Sequence, residues 1–160
     1  MSTIIDGSAG ITFPNSTVQA SAGSVLQVVN ASFNTQTTTS STTFVSTYLT
    51  ASITPKFATS KILVLMNNSS AISSTSYVGI ATIYRNGAVN LGNGNGGLGL
   101  SGTAQDASMF MQTLDAPATT SSVTYTAYIR TNSASGTYYF GDSIGGVYMA
   151  SQVTLMEIAA

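Results

Sequence analysis

Histidine, cysteine and tryptophan are all missing from this chain, and charge nearly so: Lys and Arg number 4, Asp and Glu 5, together 6% of 160 residues. Each absence removes a class of chemistry. Without Cys there are no disulfides and no thiolate metal sites. Without His the usual general base and the commonest metal ligand are gone. The four basic residues, Lys56, Lys61, Arg85 and Arg130, are scattered along the chain. Phosphate contacts dominate nucleic-acid affinity, so no nucleic-acid partner is expected. Met1-Ser2-Thr3-Ile4-Ile5-Asp6 holds neither a basic segment nor an apolar run, so no secretion signal is expected. No stretch approaches the roughly 18 apolar residues of a membrane helix. A membrane β-barrel of this length would carry aromatic girdles, which a chain without Trp does not suggest, so no membrane insertion is expected.

What the chain does contain is hydroxyl groups and apolar side chains. Ser and Thr supply roughly three residues in ten, against a charged share of about a quarter in ordinary domains. Disorder goes with high charge and few apolar residues, whereas 43% of this chain is hydrophobic, so it should fold. A net charge of −1 leaves little repulsion between copies, which points to an assembly as the working state.

The chain divides at about residue 23. Residues 1–23 alternate short apolar pieces with Gly, Pro and Asn, enough for small strands but not for a core. They read as a short extended N-terminal arm that lies against a neighbour. Residues 24–160 read as strand after strand. Val25 to Phe33 comes first, then a Thr/Ser run, Thr35 to Thr43, that suits a loop or an edge. Phe44 to Thr54 places Val45, Leu49, Ala51 and Ile53 on one face, with Phe44 and Tyr48 on the other. Ile62-Leu63-Val64-Leu65-Met66 is a continuous apolar run, as in a central strand covered on both faces. Tyr77 to Tyr84 ends in Asn86-Gly87, a strong hairpin signal because both positions tolerate positive φ, and Ala88 to Leu91 would return. Met109 to Leu114 follows, then Val123 to Arg130, which sets Val123, Tyr125, Ala127 and Ile129 against Thr124, Thr126 and Tyr128; Tyr138 to Phe140, Val147 to Met149 and Gln152 to Ile158 complete the set. The fold class expected is all-β, an antiparallel, jelly-roll-like β-sandwich.

Motifs with chemistry are few. Gly92, Gly94 and Gly97 spell G-x-G-x-x-G, but Leu98-Gly99-Leu100-Ser101-Gly102 does not start a helix, so a mobile loop is expected and no nucleotide cofactor. The five acids are Asp6, Asp106, Asp115, Asp142 and Glu157. A glycosidase needs two carboxylates in one cleft. Asp115 and Asp142 read instead as turn residues, and Glu157 as the partner of Lys61, Arg85 or Arg130. No catalytic residue, metal site or cofactor is assigned. Tyr138 and Tyr139, with Asp142 close by, are candidate receptor contacts, since Tyr joins a rigid apolar body to a polar tip. Loops 93–99 and 133–136 are candidates for a partner-facing surface.

Gly10-Ile11-Thr12-Phe13-Pro14-Asn15-Ser16-Thr17-Val18-Gln19-Ala20 resembles a pattern of tail fibres of tailed phages, with Asn15-Ser16 where Asp-Gly is more usual. Ser60-Lys61-Ile62-Leu63-Val64 and Val153-Thr154-Leu155-Met156-Glu157-Ile158 are similar to central and last strands of β-domains in the same group, notably in marine and cyanobacterial phages. The resemblance covers about a quarter of the chain. It implies a virion location, a homotrimer, no cofactor, an N-terminal portion bound to other virion proteins (baseplate or capsid), and a β-domain that faces a host surface glycan or protein. Attachment would then fall to Ile4, Ile5, Ile11, Phe13 and Val18. A capsid decoration protein and a carbohydrate-binding module are the alternative expectations.

Overall fold

A computed structural model describes the chain at residues 4–6, 10–12 and 18–19 as backbone strands, and at 25–102, 107–141 and 150–159 in full. Its described elements are all strands: β1 (Ile4–Asp6), β2 (Gly10–Thr12), β3 (Val18–Gln19), β4 (Val25–Phe33), β5 (Thr37–Thr39), β6 (Val45–Ile53), β7 (Lys61–Ile72), β8 (Gly79–Arg85), β9 (Val89–Asn90), β10 (Gly99–Ser101), β11 (Ala107–Asp115), β12 (Val123–Thr131), β13 (Tyr138–Phe140) and β14 (Ser151–Ile158). The protein is all-β, with two antiparallel sheets packed as a sandwich.

The first sheet is built around β7. On one edge β11 pairs with it from Ile62 to Ser70. On the other edge β14 pairs with Lys61–Asn67, and β13 takes over at Ser70–Ile72. Since β14 and β13 lie end to end, so do β4 and β5, which pair outside them. In the second sheet β12 joins β6 to β8, and β9 and β10 share the far edge of β8. From β4 onward, counting β4/β5, β9/β10 and β13/β14 as single interrupted strands leaves eight positions in chain order. They pair first with eighth, second with seventh, third with sixth and fourth with fifth. That is one long antiparallel ribbon folded over on itself, the jelly-roll connectivity.

The pattern of side chains explains the layering. In β12, Val123, Tyr125, Ala127 and Ile129 are buried while the residues between them are half-buried, the period-two signature of a strand with one face in the core. Strand β6 does the same with Leu49, Ala51 and Ile53. Between Ser46 and Thr50 it uses four steps where β12 uses two, Thr126 to Tyr128, and the even number of extra residues keeps Val45 on the core side. These residues meet Ile62, Val64, Met66, Met111, Val153 and Leu155 from the first sheet in one core cluster. Each large aliphatic side chain so buried contributes about 1.5–3 kcal/mol. The β8–β9 connection is a two-residue hairpin with Asn86 at φ 51° and Gly87 at φ 67°, both in the left-handed region that this turn requires.

Several expectations need correction. The run Ile62–Met66 is central in its sheet, but only Ile62, Val64 and Met66 are fully buried, while Leu63 and Leu65 are half-buried on the outer face. The strand also continues well past Met66, through Asn67, Asn68, Ser69 and Ser70 to Ile72. Nothing in those polar residues signals a strand, yet β11 pairs with all four on one edge, while on the other β14 reaches Asn67, Gly141 N–H donates to Ser69 O (2.7 Å) and β13 pairs with Ser70. The glycine-rich segment is a structured turn rather than a loose loop: Gly97 N–H donates to Asn93 O (2.9 Å) and Leu98 N–H to Ala81 O (2.8 Å). Gly97 adopts φ 63°, and a Cβ there would lie 2.3 Å from Ala81 O. Within residues 1–23, β1, β2 and β3 form a three-stranded antiparallel sheet, so the segment read as an extended arm turns back on itself. The expected strand Val147 to Met149 lies outside the described residues.

Candidate functional site: an aromatic cleft on the second sheet

The structure sorts the sequence candidates by burial. Tyr138 has no exposed surface. Its ring meets Phe140 edge-on at 6.3 Å, its hydroxyl points at Met109 Sδ (3.6 Å), and burial pushes its pKa well above the usual tyrosine value. It is a core residue and does not fit the surface-contact role expected of it. The reason is register: Tyr138 sits opposite Ile72 on the inner face, while the half-buried Tyr139 pairs with Ala71 on the outer face. Asp142 lies outside the described residues. The backbone pairing brings Ile4, Ile5, Ile11 and Val18 into one small sheet, with Ile5 opposite Ile11; Phe13 is outside the described residues.

The two acids of the β-domain that are described do structural duty. Asp115 and Glu157 flank Ile62 in one inward row across the first sheet. Asp115 is no turn residue: its carboxylate accepts both bonds from Arg85 Nη1 (2.9 and 3.0 Å) and a third from the Tyr125 hydroxyl (2.8 Å). This ties the first sheet to two strands of the second. Burial first, and then the bond to Asp115, raise the Tyr125 pKa far above its normal value. Glu157 pairs with none of the expected cations. It has no accessible surface but lies shallowly at the rim, accepting from Gln27 Nε2 (2.6 Å), Lys56 N–H (2.7 Å) and Phe57 N–H (3.4 Å). Burial alone would raise its pKa; the bonds from Gln27 and the two backbone amides, with the Ser60 hydroxyl close by though not in good hydrogen-bond geometry, outweigh it and hold the carboxyl below its usual range. With each carboxylate sealed among its own donors, the two do not form a cleft pair.

A cleft does exist, on the outer face of the second sheet, with a volume of about 360 Å³. Its walls come from four separate segments: Thr42, Thr43 and Phe44 before β6, Tyr84 on β8, Gly94 and Asn95 in the glycine-rich turn, and Arg130 on β12. Tyr84 stacks on Tyr128 at 4.1 Å and meets Phe44 edge-on at 6.1 Å. The Arg130 guanidinium lies 5.3 Å over the Phe44 ring and donates to the Asn95 and Thr131 carbonyls, with the latter at 3.2 Å. The rings are therefore held rigidly by each other and by a cation. Sequence reading put Phe44 and Tyr128 on outward faces but did not bring them together. Their signal is faint: single aromatics on strand faces made mostly of Ser and Thr, with Tyr48 beside Phe44 and Arg130 beside Tyr128.

Among the described residues no group of three or more acidic side chains is placed to hold a metal ion. No protein-family model matches this chain, and no curated protein is detectably similar to it.

Proposed function

We propose that this chain is a structural protein of a phage virion, a tail-fibre subunit that assembles as a homotrimer, is held to other virion proteins through residues 1–23, and touches the host surface with its jelly roll. The observation that carries this reading is the outer face of the first sheet. Cross-strand pairing puts Leu114, Leu63, Met156 and Val28 in one row across four strands. Leu114 and Val28 are 53% and 55% exposed, and Phe110, two rows along, is 57% exposed. A row this wide, about 15 Å from first strand to last, is an apolar surface that a solitary chain leaves wet and a neighbouring copy would cover. The near absence of charge supports the same reading.

The test is the molar mass of the purified chain by light scattering, with and without residues 1–23. A mass of three chains is expected, falling to one chain in the double variant Val28→Lys with Leu114→Lys. A wild-type monomer would overturn the trimer. The cleft favours a second reading, a solitary carbohydrate-binding module, which that monomer would support if it also bound a glycan.

A further inference from the structure

We propose that the cleft bounded by Phe44, Tyr84, Asn95 and Arg130 is a carbohydrate site that receives one pyranose ring of a surface glycan. The proposal rests on the reading of this chain as a surface-contacting module and not on its oligomeric state. A pyranose offers an apolar C–H face and a rim of hydroxyls, and the cleft offers the complement of each. Phe44 and Tyr84 bring aromatic surface to the lining, which suits the C–H face. Thr42, Asn95 and Arg130 add polar groups to the same lining. Arg130 uses two of its five N–H donors on the Asn95 and Thr131 carbonyls, which leaves others for a ligand. The volume, about 360 Å³, is at the lower end of small-molecule sites and has room for one or two sugar rings.

The lining disfavours other ligand classes. It contains no aliphatic side chain, so a lipid or other wholly apolar ligand finds no matching wall. It contains one cation, already engaged, where a nucleic-acid phosphate track needs several. It contains no carboxylate to hold a metal. What remains is a polar ligand with one flat apolar face. The aromatic stack and the anchored turn present the site preformed, which lowers the entropic cost of binding.

The experiment uses the full chain on an array of immobilised neutral hexoses, 6-deoxyhexoses, N-acetylhexosamines and uronates. The best binder is then titrated in solution and followed by tyrosine emission, which no tryptophan obscures. Phe44→Ala and Asn95→Ala should each weaken binding about tenfold. Gly94→Phe adds a large side chain at a lining residue and should weaken binding further; a Cβ at Gly94 meets nothing within 4 Å, so the substitution leaves the fold undisturbed. Molar mass and melting temperature should be unchanged in Asn95→Ala and Gly94→Phe. Wild-type protein that retains no saccharide, or binding that survives Phe44→Ala combined with Asn95→Ala, would overturn the site and leave the molar-mass result standing.

Discussion

The two ends of the sandwich are closed by opposite means. At one end the row Asp115, Ile62, Glu157 and Gln27 carries two buried carboxylates, each satisfied by several donors. At the other end sit Asn68, Ser70, Ser101 and Ser151, all buried, around the Tyr138 and Phe140 rings. The Oγ atoms of Ser101 and Ser151 have no hydrogen-bond partner among the described residues. Among the described residues, the buried charged side chains, Asp115 and Glu157, thus lie at one end. Ionic hydrogen bonds are strong but fail badly when broken, whereas small hydroxyls tolerate imperfect pairing at modest cost. The charged end should therefore be the brittle one.

The largest expected effect tests that directly. Asp115→Ala strands the Arg85 guanidinium and the Tyr125 hydroxyl, and should cost about 3–5 kcal/mol in a urea titration; a cost no greater than that of a Ser→Ala change at the opposite end would break the contrast. Next comes the aromatic end. A Cβ at Gly79 would lie 2.3 Å from Tyr138 Cδ2, so Gly79→Ala must displace a fully buried ring and should cost about 1–3 kcal/mol. Glu157→Gln turns an amide N–H₂ towards donors and should cost about 1–2 kcal/mol at neutral pH.

Glu157 also sets an acid dependence. Its pKa is depressed on folding, so its contribution is present above the unfolded value, near 4.5, and is lost as pH falls through the folded value. Wild-type urea midpoints measured from pH 6 downward should drop more steeply than those of Glu157→Gln. The tyrosines act in the other direction and at both ends. Tyr125 and Tyr138 are raised on folding, so their contribution is intact below about pH 10 and lost as pH rises beyond it. Alkaline unfolding should begin there, and Tyr138→Phe should delay it. The smallest effect belongs to Ser101→Ala, at about 0.5 kcal/mol or less, because the hydroxyl removed has no partner among the described residues.

Much of the fold was legible in the chain. The alternation of β12, the inward face of β6 and the Asn86-Gly87 turn are local features, written in neighbouring residues, and each was read correctly. The polar half of β7 was not, because Asn67 to Ser70 hold strand geometry only through partners on both edges, Ala107–Phe110 and Gln152 or Phe140. Tyr138 was misassigned for a related reason. A three-residue strand has too few alternations to say which face is inner, and the Gly79 backbone that makes room for the ring lies 59 positions away. Asp115 looked like a turn residue because its sequence neighbours are turn-like, while its real partners sit on β8 and β12.

What the sequence alone determined, then, is the class of fold: an all-β chain, with hydroxyls in place of charge and strands whose period-two pattern needs a two-layer core. The reason is that side-chain alternation is a property of the strand itself. Tertiary structure decided the rest. It chose the ribbon-like pairing of first strand with last, which carboxylate met which donor, and the meeting of Phe44, Tyr84 and Arg130 in one cleft. Those outcomes depend on contacts between segments tens of residues apart, and a linear pattern carries no record of which distant strand will be its neighbour.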